Sequence, residues 1–584
     1  MPSAGTPHTA TPDLTSAMRD LVRYRQEHLT GDEKGEAQIF LEHLFQAFGH
    51  VGLRQAGAVL EARMRRGSGR RRTSFADCVW KPRVLIEMKK AGEPLGRHYE
   101  QALDYWFRAV PDRPRYVVLC NFDEFWIYDF NHQIEEPVDR LRLEDLPRRW
   151  EALAFLLPEE TSPTFGNDLV AVTRESAARV SAVFNHMVGR GVDRQAAQRF
   201  VLQSVMAMFA EDIGLLPRHL FSGAVTDAVE GASAYDLLFG LFREMNTSGV
   251  TPGGRYAGTP YFNGGLYREI TPLELDRGEV ELLLLAVSDD WSQVRPAIFG
   301  TLFEQSLGKD ERHAYGAHFT SELDVMKVVR PTLVEPYQTR IEAATTLAEL
   351  GAIEQELLAL RVLDPACGSG NFLYLAYRAI RKLEKRLQER ENELRRSANV
   401  TPMRLAFVSP HQFYGIDINA FAVEIAKATL MLARKLAADE LGDERQVLPL
   451  DDLDANFIAD DALEVEWPRA DVIIGNPPFL GRNKLLAERG AAYTTWLAKE
   501  YPGVSGRSDY VAYWFRKAHD ALPSGGRGGL VGTTAIRTGD TRKGALDYVI
   551  DHGGVIYDAV QSQPWSGEAV VRVSIVNWRK GTAL

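Results

Sequence analysis

Cysteine is scarce in this chain. The three residues, Cys78, Cys120 and Cys367, lie far apart and without metal-ligand spacing among 584 positions. That pattern excludes a disulfide framework and a cysteine-bound zinc centre, and it predicts reduced thiols in a cytoplasmic protein. Long apolar runs are also missing. None approaches the ~20 residues needed to span a bilayer, so no membrane partner is expected. Met1–Pro12 is small and polar, without the apolar centre of a secretory signal. Nor is there an excess of positive charge: 68 Lys+Arg against 79 Asp+Glu leave a formal net charge of −11. Any contact with nucleic acid must then come from local basic surface. The densest such stretch is Arg63, Arg65, Arg66, Arg70, Arg71 and Arg72, which reads either as a solvated hairpin loop or as a phosphate-contacting one.

A hydrophobic content of 45% with 25% charged residues is that of ordinary globular protein. The length suits roughly three to four domains of ~150 residues. Two stretches carry chemistry. Val472-Ile473-Ile474 reads as a buried parallel strand, and Gly475 turns the chain at its end. Asn476 offers a carboxamide that both donates and accepts. Pro477 and Pro478 stiffen the loop and leave carbonyls free as acceptors, and Phe479 adds an aromatic face. Acceptors beside a flat ring suit an exocyclic amine on a heterocycle. Upstream, Val362-Leu363-Asp364-Pro365-Ala366-Cys367-Gly368-Ser369-Gly370-Asn371-Phe372-Leu373 is a strand, a loop of small residues and the start of a helix. Gly368 and Gly370 allow a ligand close to the backbone, and Asp364 can accept from a cationic or amine group.

Together, and in this order, these stretches resemble motifs I and IV of the class I S-adenosylmethionine-dependent amino-methyltransferases that act on DNA. The resemblance implies a doubly wound, Rossmann-like α/β domain. It assigns cofactor contacts to Asp364, Ala366, Gly368, Gly370 and Asn476, and catalysis to Asn476, Pro477, Pro478 and Phe479. Gly316-Ala317-His318-Phe319-Thr320 resembles motif X, placing Phe319 and Thr320 at the methionine end of the cofactor. Asp417, at the end of a strand, can accept from ribose hydroxyls. By resemblance Asp461 reads the cofactor adenine amine, with Asp460 the alternative. Trp565, where motif VIII begins, is either a wall of the base pocket or a core residue. Between them, Lys484–Ser508 reads as polar and loop-rich.

The N-terminal part alternates helix and strand. Asp77 ends one strand, and Glu87 and Lys89 share a face of the next. Two carboxylates can hold a divalent metal while a lysine positions water. Gln101 and Tyr105 lie four apart on a helix face. This set resembles the PD-(D/E)XK nuclease fold, with Ala76 where that family has proline. The resemblance makes Asp77 and Glu87 ligands of Mg²⁺ and Lys89 the catalytic lysine. Glu36 is the candidate third carboxylate, in competition with Glu33 and Glu42.

These readings divide the chain into a nuclease-like domain (1–155), a helical spacer (156–295) and a methyltransferase domain (296–584). Motif X before I before IV is the gamma arrangement of adenine methyltransferases. The whole resembles the MmeI-like, type IIG/IIL restriction–modification enzymes. It implies methylation of adenine N6 in double-stranded DNA and an N-terminal Mg²⁺-dependent endonuclease. Those enzymes continue into a target-recognition domain, so recognition is expected from a separate subunit unless the gene is truncated. A methyltransferase subunit with a silent nuclease fold, or a non-catalytic remnant, are the competing expectations.

Overall fold

The computed structural model describes residues 13–64, 74–108, 113–262, 264–296, 298–300, 302, 321–397, 408–441, 453–565 and 572–581. The arginine-rich segment 65–72 and the motif X residues Phe319 and Thr320 lie outside them. The chain packs as two compact units, Met1–Val172 and Thr173–Leu584. Among the described residues no helix is long and apolar enough to cross a membrane.

The first unit opens with helices Leu14–His28 and Glu33–Ala47, whose N-termini are capped by the side chains of Asp13 and Asp32. A 6-stranded sheet follows in sequential order: β1 Val59–Met64, β2 Ser74–Trp80, β3 Val84–Met88, β4 Tyr116–Cys120, β5 Glu124–Tyr128 and β6 Asp139–Arg142. Only the β3–β4 pair is parallel, and its crossover carries the helix Tyr99–Arg108. Phe40, Leu44 and Phe45 pack with Ile86, Met88, Val118 and Cys120 in the core. This is the helix–strand order expected around Asp77 and Glu87.

The second unit begins with the helices expected of the spacer, among them Arg194–Asp212 and Ala234–Met245. Glu211, at the end of an apolar stripe, accepts from the backbone of Ser222 at 3.2 Å and so ties the following helix Phe221–Val229 to its own. Its role is structural, as the helical periodicity implies.

The 7-stranded sheet of this unit has the order β12-β13-β11-β10-β7-β8-β9. The strands are β7 Val362–Asp364, β8 Phe413–Asp417, β9 Phe457–Ala459, β10 Val472–Gly475, β11 Arg527–Thr533, β12 Gly554–Pro564 and β13 Arg572–Lys580. All neighbours from β9 to β11 are parallel, and β13 runs antiparallel to β11 and β12. Strand order reverses between β7 and β10, and doubly wound sheets bind ligands at such a point, outside the carboxyl ends. This is the class I methyltransferase fold. Leu363, Ile416, Ile473 and Leu530 are fully buried between the helices.

One expectation changes, and one strand is unanticipated. Lys484–Ser508 is mostly helix, Arg482–Glu500, with Leu485 and Leu497 buried. Polar and small residues elsewhere along it mask the apolar stripe, and Gly490 at φ +80° interrupts its period. The long strand β12 is not signalled by alternation, because register shifts at Ile556/Asp558 and Val560/Gln563 break the two-residue period.

Candidate functional site

In the second unit, β7 and β10 lie side by side with Leu363 opposite Ile473. The carboxyl end of β7 delivers Asp364, and the end of β10 delivers Gly475 and the Asn476–Phe479 loop. Asp364 is fully buried. Its Oδ1 accepts from the Ala366 N–H at 3.0 Å, while Oδ2 is buried without a hydrogen-bond partner. Burial pushes its carboxyl up to about 8, helped by the charge of Asp417.

The loop after β7 is anchored to β8. Cys367 donates its N–H to the Ile416 carbonyl at 3.0 Å, and Gly368 donates to Asp417 Oδ2 at 3.0 Å. Asp417 Oδ1 accepts from Asn419 at 2.9 Å, so this half-buried carboxylate already orders both loops. The glycines divide their tasks. Gly368, at φ +49°, has open space where a Cβ would stand. Gly370, at φ +87°, faces the Ala426 backbone, and a Cβ there would stand 2.9 Å from the Ala426 Cα. Gly368 thus leaves room for a ligand, whereas Gly370 lets the helix Ala420–Leu441 pack closely. All three cysteines are free and buried, and burial holds Cys367 far above the usual thiol range.

On the Asn-Pro-Pro-Phe loop, Pro477 is buried while Asn476, Pro478 and Phe479 are half-exposed. The Leu480 carbonyl accepts from the Tyr510 N–H at 3.0 Å, which fixes the far end of the loop.

The two candidate adenine readers separate clearly. Asp461 is 7% exposed, and its carboxylate accepts from the Leu463 N–H at 2.9 Å, from the Tyr493 hydroxyl at 2.8 Å and from Arg489. Asp460 is exposed, and only its Oδ1 is engaged, by the Asp461 N–H at 2.7 Å. Arg489 and Tyr493 were not foreseen, although their four-residue spacing on one helix face was visible in the sequence. Trp565 is buried.

In the first unit, Asp77 accepts from the Met88 N–H at 2.7 Å. Glu87 Oε1 takes hydrogen bonds from Lys89 Nζ at 2.9 Å and Gln101 Nε2 at 2.8 Å, and Gln101 also donates to the Tyr105 hydroxyl at 2.9 Å. Glu87 Oε2 is buried without a hydrogen-bond partner. Burial lifts the Glu87 carboxyl to about 7 against the opposing pull of Lys89. Burial also works to lower Lys89, but the Glu87 carboxylate outweighs it and holds the ammonium above its usual value. The helix carboxylates sort themselves. Glu36 accepts from the N–H groups of Thr30, Gly31 and Asp32, and Glu42 from Leu53, so both serve their own turns. Glu33, at 3.9 Å from Lys89 Nζ, is the one that faces the cluster. Glu36 is therefore corrected to a capping role.

Residues 16–190 match the family model described as the MmeI N-terminal domain, 195–267 the MmeI helicase spacer domain and 340–583 the MmeI DNA-methyltransferase domain. DNA methyltransferase A of Bacillus subtilis (strain 168) is 26% identical over 508 residues, covering 82% of this chain and 55% of the relative. The adenine-specific methyltransferase PglX of Streptomyces coelicolor is 30% identical over 146 residues, 23% of this chain and 11% of that one. Among solved structures, the type IIL restriction–modification enzyme MmeI in complex with DNA superposes with a TM-score of 0.59 at 26% identity, covering 70% of this chain and 57% of that one. The chain spans little more than half the length of DNA methyltransferase A and of the MmeI structure. With the three MmeI domains in sequence, the chain belongs to the MmeI-like, type IIL family of restriction–modification enzymes.

Proposed function

We propose that this chain transfers a methyl group from S-adenosylmethionine to adenine N6 of double-stranded DNA. The observation that carries the reading is the meeting of Asp364, the open Gly368 turn and the Asn476–Phe479 loop at the strand-order reversal. A buried, unpartnered Asp364 Oδ2 beside open backbone fits a cationic cofactor. Asp364, Ala366, Gly368 and Asp417 would hold it, with Asp460 rather than the engaged Asp461 accepting from its adenine amine. Phe319 and Thr320 keep their proposed place at its methionine end. S-adenosylmethionine, when bound, supplies a methyl on a cationic sulfur. The protein's part is orientation. A base flipped out of the stack lies on Phe479, and the Asn476 side-chain oxygen and Pro477 carbonyl accept its amine hydrogens, aiming the nitrogen lone pair. Pro478 keeps that loop rigid. The buried Cys367 thiol plays no nucleophilic part. Adenine is favoured by the Asn-Pro-Pro-Phe sequence and by the similarity to PglX.

The first unit supports a second, separate activity, Mg²⁺-dependent DNA cleavage. The buried, unpartnered Glu87 Oε2 fits a metal ligand, with Asp77 as its companion. Mg²⁺, when bound, would polarise a phosphate; Lys89 would orient the attacking water. Both activities belong to a cytoplasmic restriction–modification or phage-defence system, with target choice shared with a recognition module. Calorimetric titration of the full chain with S-adenosylmethionine tests the cofactor assignment. Micromolar binding that Asp364→Asn abolishes is the expected result, and no binding overturns it.

A further inference from the structure

The loop after β9 is gripped by residues that follow Phe479 in the chain. Asp461 holds Arg489 and Tyr493 of the helix Arg482–Glu500. Lys517 Nζ, on the helix Val511–Ala521, donates to the carbonyls of Ala462 and Leu463 at 2.9 Å each and of Val465 at 2.7 Å. The Tyr501 hydroxyl donates to the same Leu463 carbonyl at 3.1 Å. The path continues to the target-amine loop. Tyr493 and Tyr510 share a hydroxyl–hydroxyl hydrogen bond of 2.7 Å, and the Tyr510 backbone holds Leu480, the residue after Phe479.

Asp461 is thus a buried carboxylate whose lone pairs are used by a cation, a phenol and an N–H. Oδ2 is shared by the cation and the phenol, and one Oδ1 lone pair beside the Leu463 contact is left, on a residue 7% exposed. Its neighbour Asp460 is exposed, and its Oδ1 accepts from the Asp461 N–H at 2.7 Å, so a ligand held at Asp460 restrains Asp461 as well. The break at Gly490, directly after Arg489, gives the helix a point at which to respond.

We propose that Asp461 is a positioning residue that joins the cofactor-adenine seat to the loop holding the target amine. This rests on the methyltransferase reading above and adds a coupling to it. Cofactor contact at Asp460 fixes Asp461, Asp461 fixes Arg489 and Tyr493, and Tyr510 carries the restraint to Leu480. The target-amine loop is ordered when the cofactor is present.

Hydrogen-exchange mass spectrometry of the full chain, with and without S-adenosylhomocysteine, tests this alongside calorimetry. In the wild type, ligand slows exchange across 482–500 by roughly 5- to 100-fold, the usual span of such couplings. In Asp461→Asn the affinity stays within about threefold, a change worth under 1 kcal/mol, while the protection of 482–500 is lost. Tyr493→Phe, which leaves no buried charge unpaired, reduces the protection in the same direction. Loss of binding in Asp461→Asn with retention in Asp460→Asn would make Asp461 the adenine reader and overturn the proposal. Protection that persists in both variants overturns it as well. A wild type that binds no S-adenosylhomocysteine instead overturns the methyltransferase reading itself.

Discussion

A Cβ at Gly475 would stand 2.5 Å from Asp364 Oδ1. Two motifs about a hundred residues apart in sequence therefore meet at one point on adjacent strands. The glycine at the end of β10 leaves the space that the buried carboxylate at the end of β7 occupies. Gly475→Ala should force Asp364 or the strand end aside, at the usual overpacking cost of about 1–3 kcal/mol. A lower thermal midpoint together with weaker cofactor binding is expected. Gly506→Ala, where a Cβ meets nothing within 4 Å, is the matched control and should change neither.

Asp364 also sets a pH dependence. Its carboxyl, raised by burial to about 8, is largely neutral at pH 7 in the free chain. A cationic ligand requires the ionised form, so affinity for S-adenosylmethionine should rise about tenfold per pH unit below that value and flatten above it. Stability of the free chain runs the other way. The folded chain keeps a proton that the unfolded chain loses near pH 4, so this contribution falls as pH rises towards about 8. Calorimetry at several pH values checks the first statement, since a flat affinity profile contradicts it; denaturant titration checks the second.

The parts of this architecture that the sequence revealed are those where local chemistry and position coincide. Glu87, Lys89, Asp364 and Asn476 sit at or just past strand ends, and short apolar runs with small-residue turns mark strand ends well. Asp77, expected at a strand end, lies instead in the middle of β2. Asp460 and Asp461 are adjacent and chemically identical. Only the packing of Arg489 and Tyr493 against one of them tells the two apart. Glu33 and Glu36 are likewise three residues apart on one helix, and their partners, Lys89 in one case and the Thr30–Asp32 turn in the other, decide their roles. Such distinctions arise from tertiary contacts and leave no local pattern.

The nuclease-like cluster should be separable from the methyl-transfer site. Asp77→Ala or Lys89→Ala should remove divalent-metal-dependent DNA cleavage and leave methylation intact, as gel assays and nucleoside analysis would read. Glu33→Gln should slow cleavage more than Glu36→Gln, because only Glu33 faces Lys89. Equal effects of the two would return Glu36 to the site.

Asn476→Ala removes the side-chain acceptor proposed for the target amine. Methyl transfer should fall by about 100- to 1,000-fold, on the scale of losing one oriented polar group in an active site. Affinity for S-adenosylmethionine should change by less than about tenfold, 1.4 kcal/mol. An unchanged rate would remove Asn476 from the mechanism.

The most direct test is transfer of labelled methyl from S-adenosylmethionine to mixed-sequence duplex DNA by the purified full chain, followed by nucleoside analysis. Label in N6-methyladenine, absent with Asn476→Ala, is the result this account predicts. Label in another base or in protein, or none from a chain that binds the cofactor and is supplied with a recognition module from an MmeI-like relative, would contradict it.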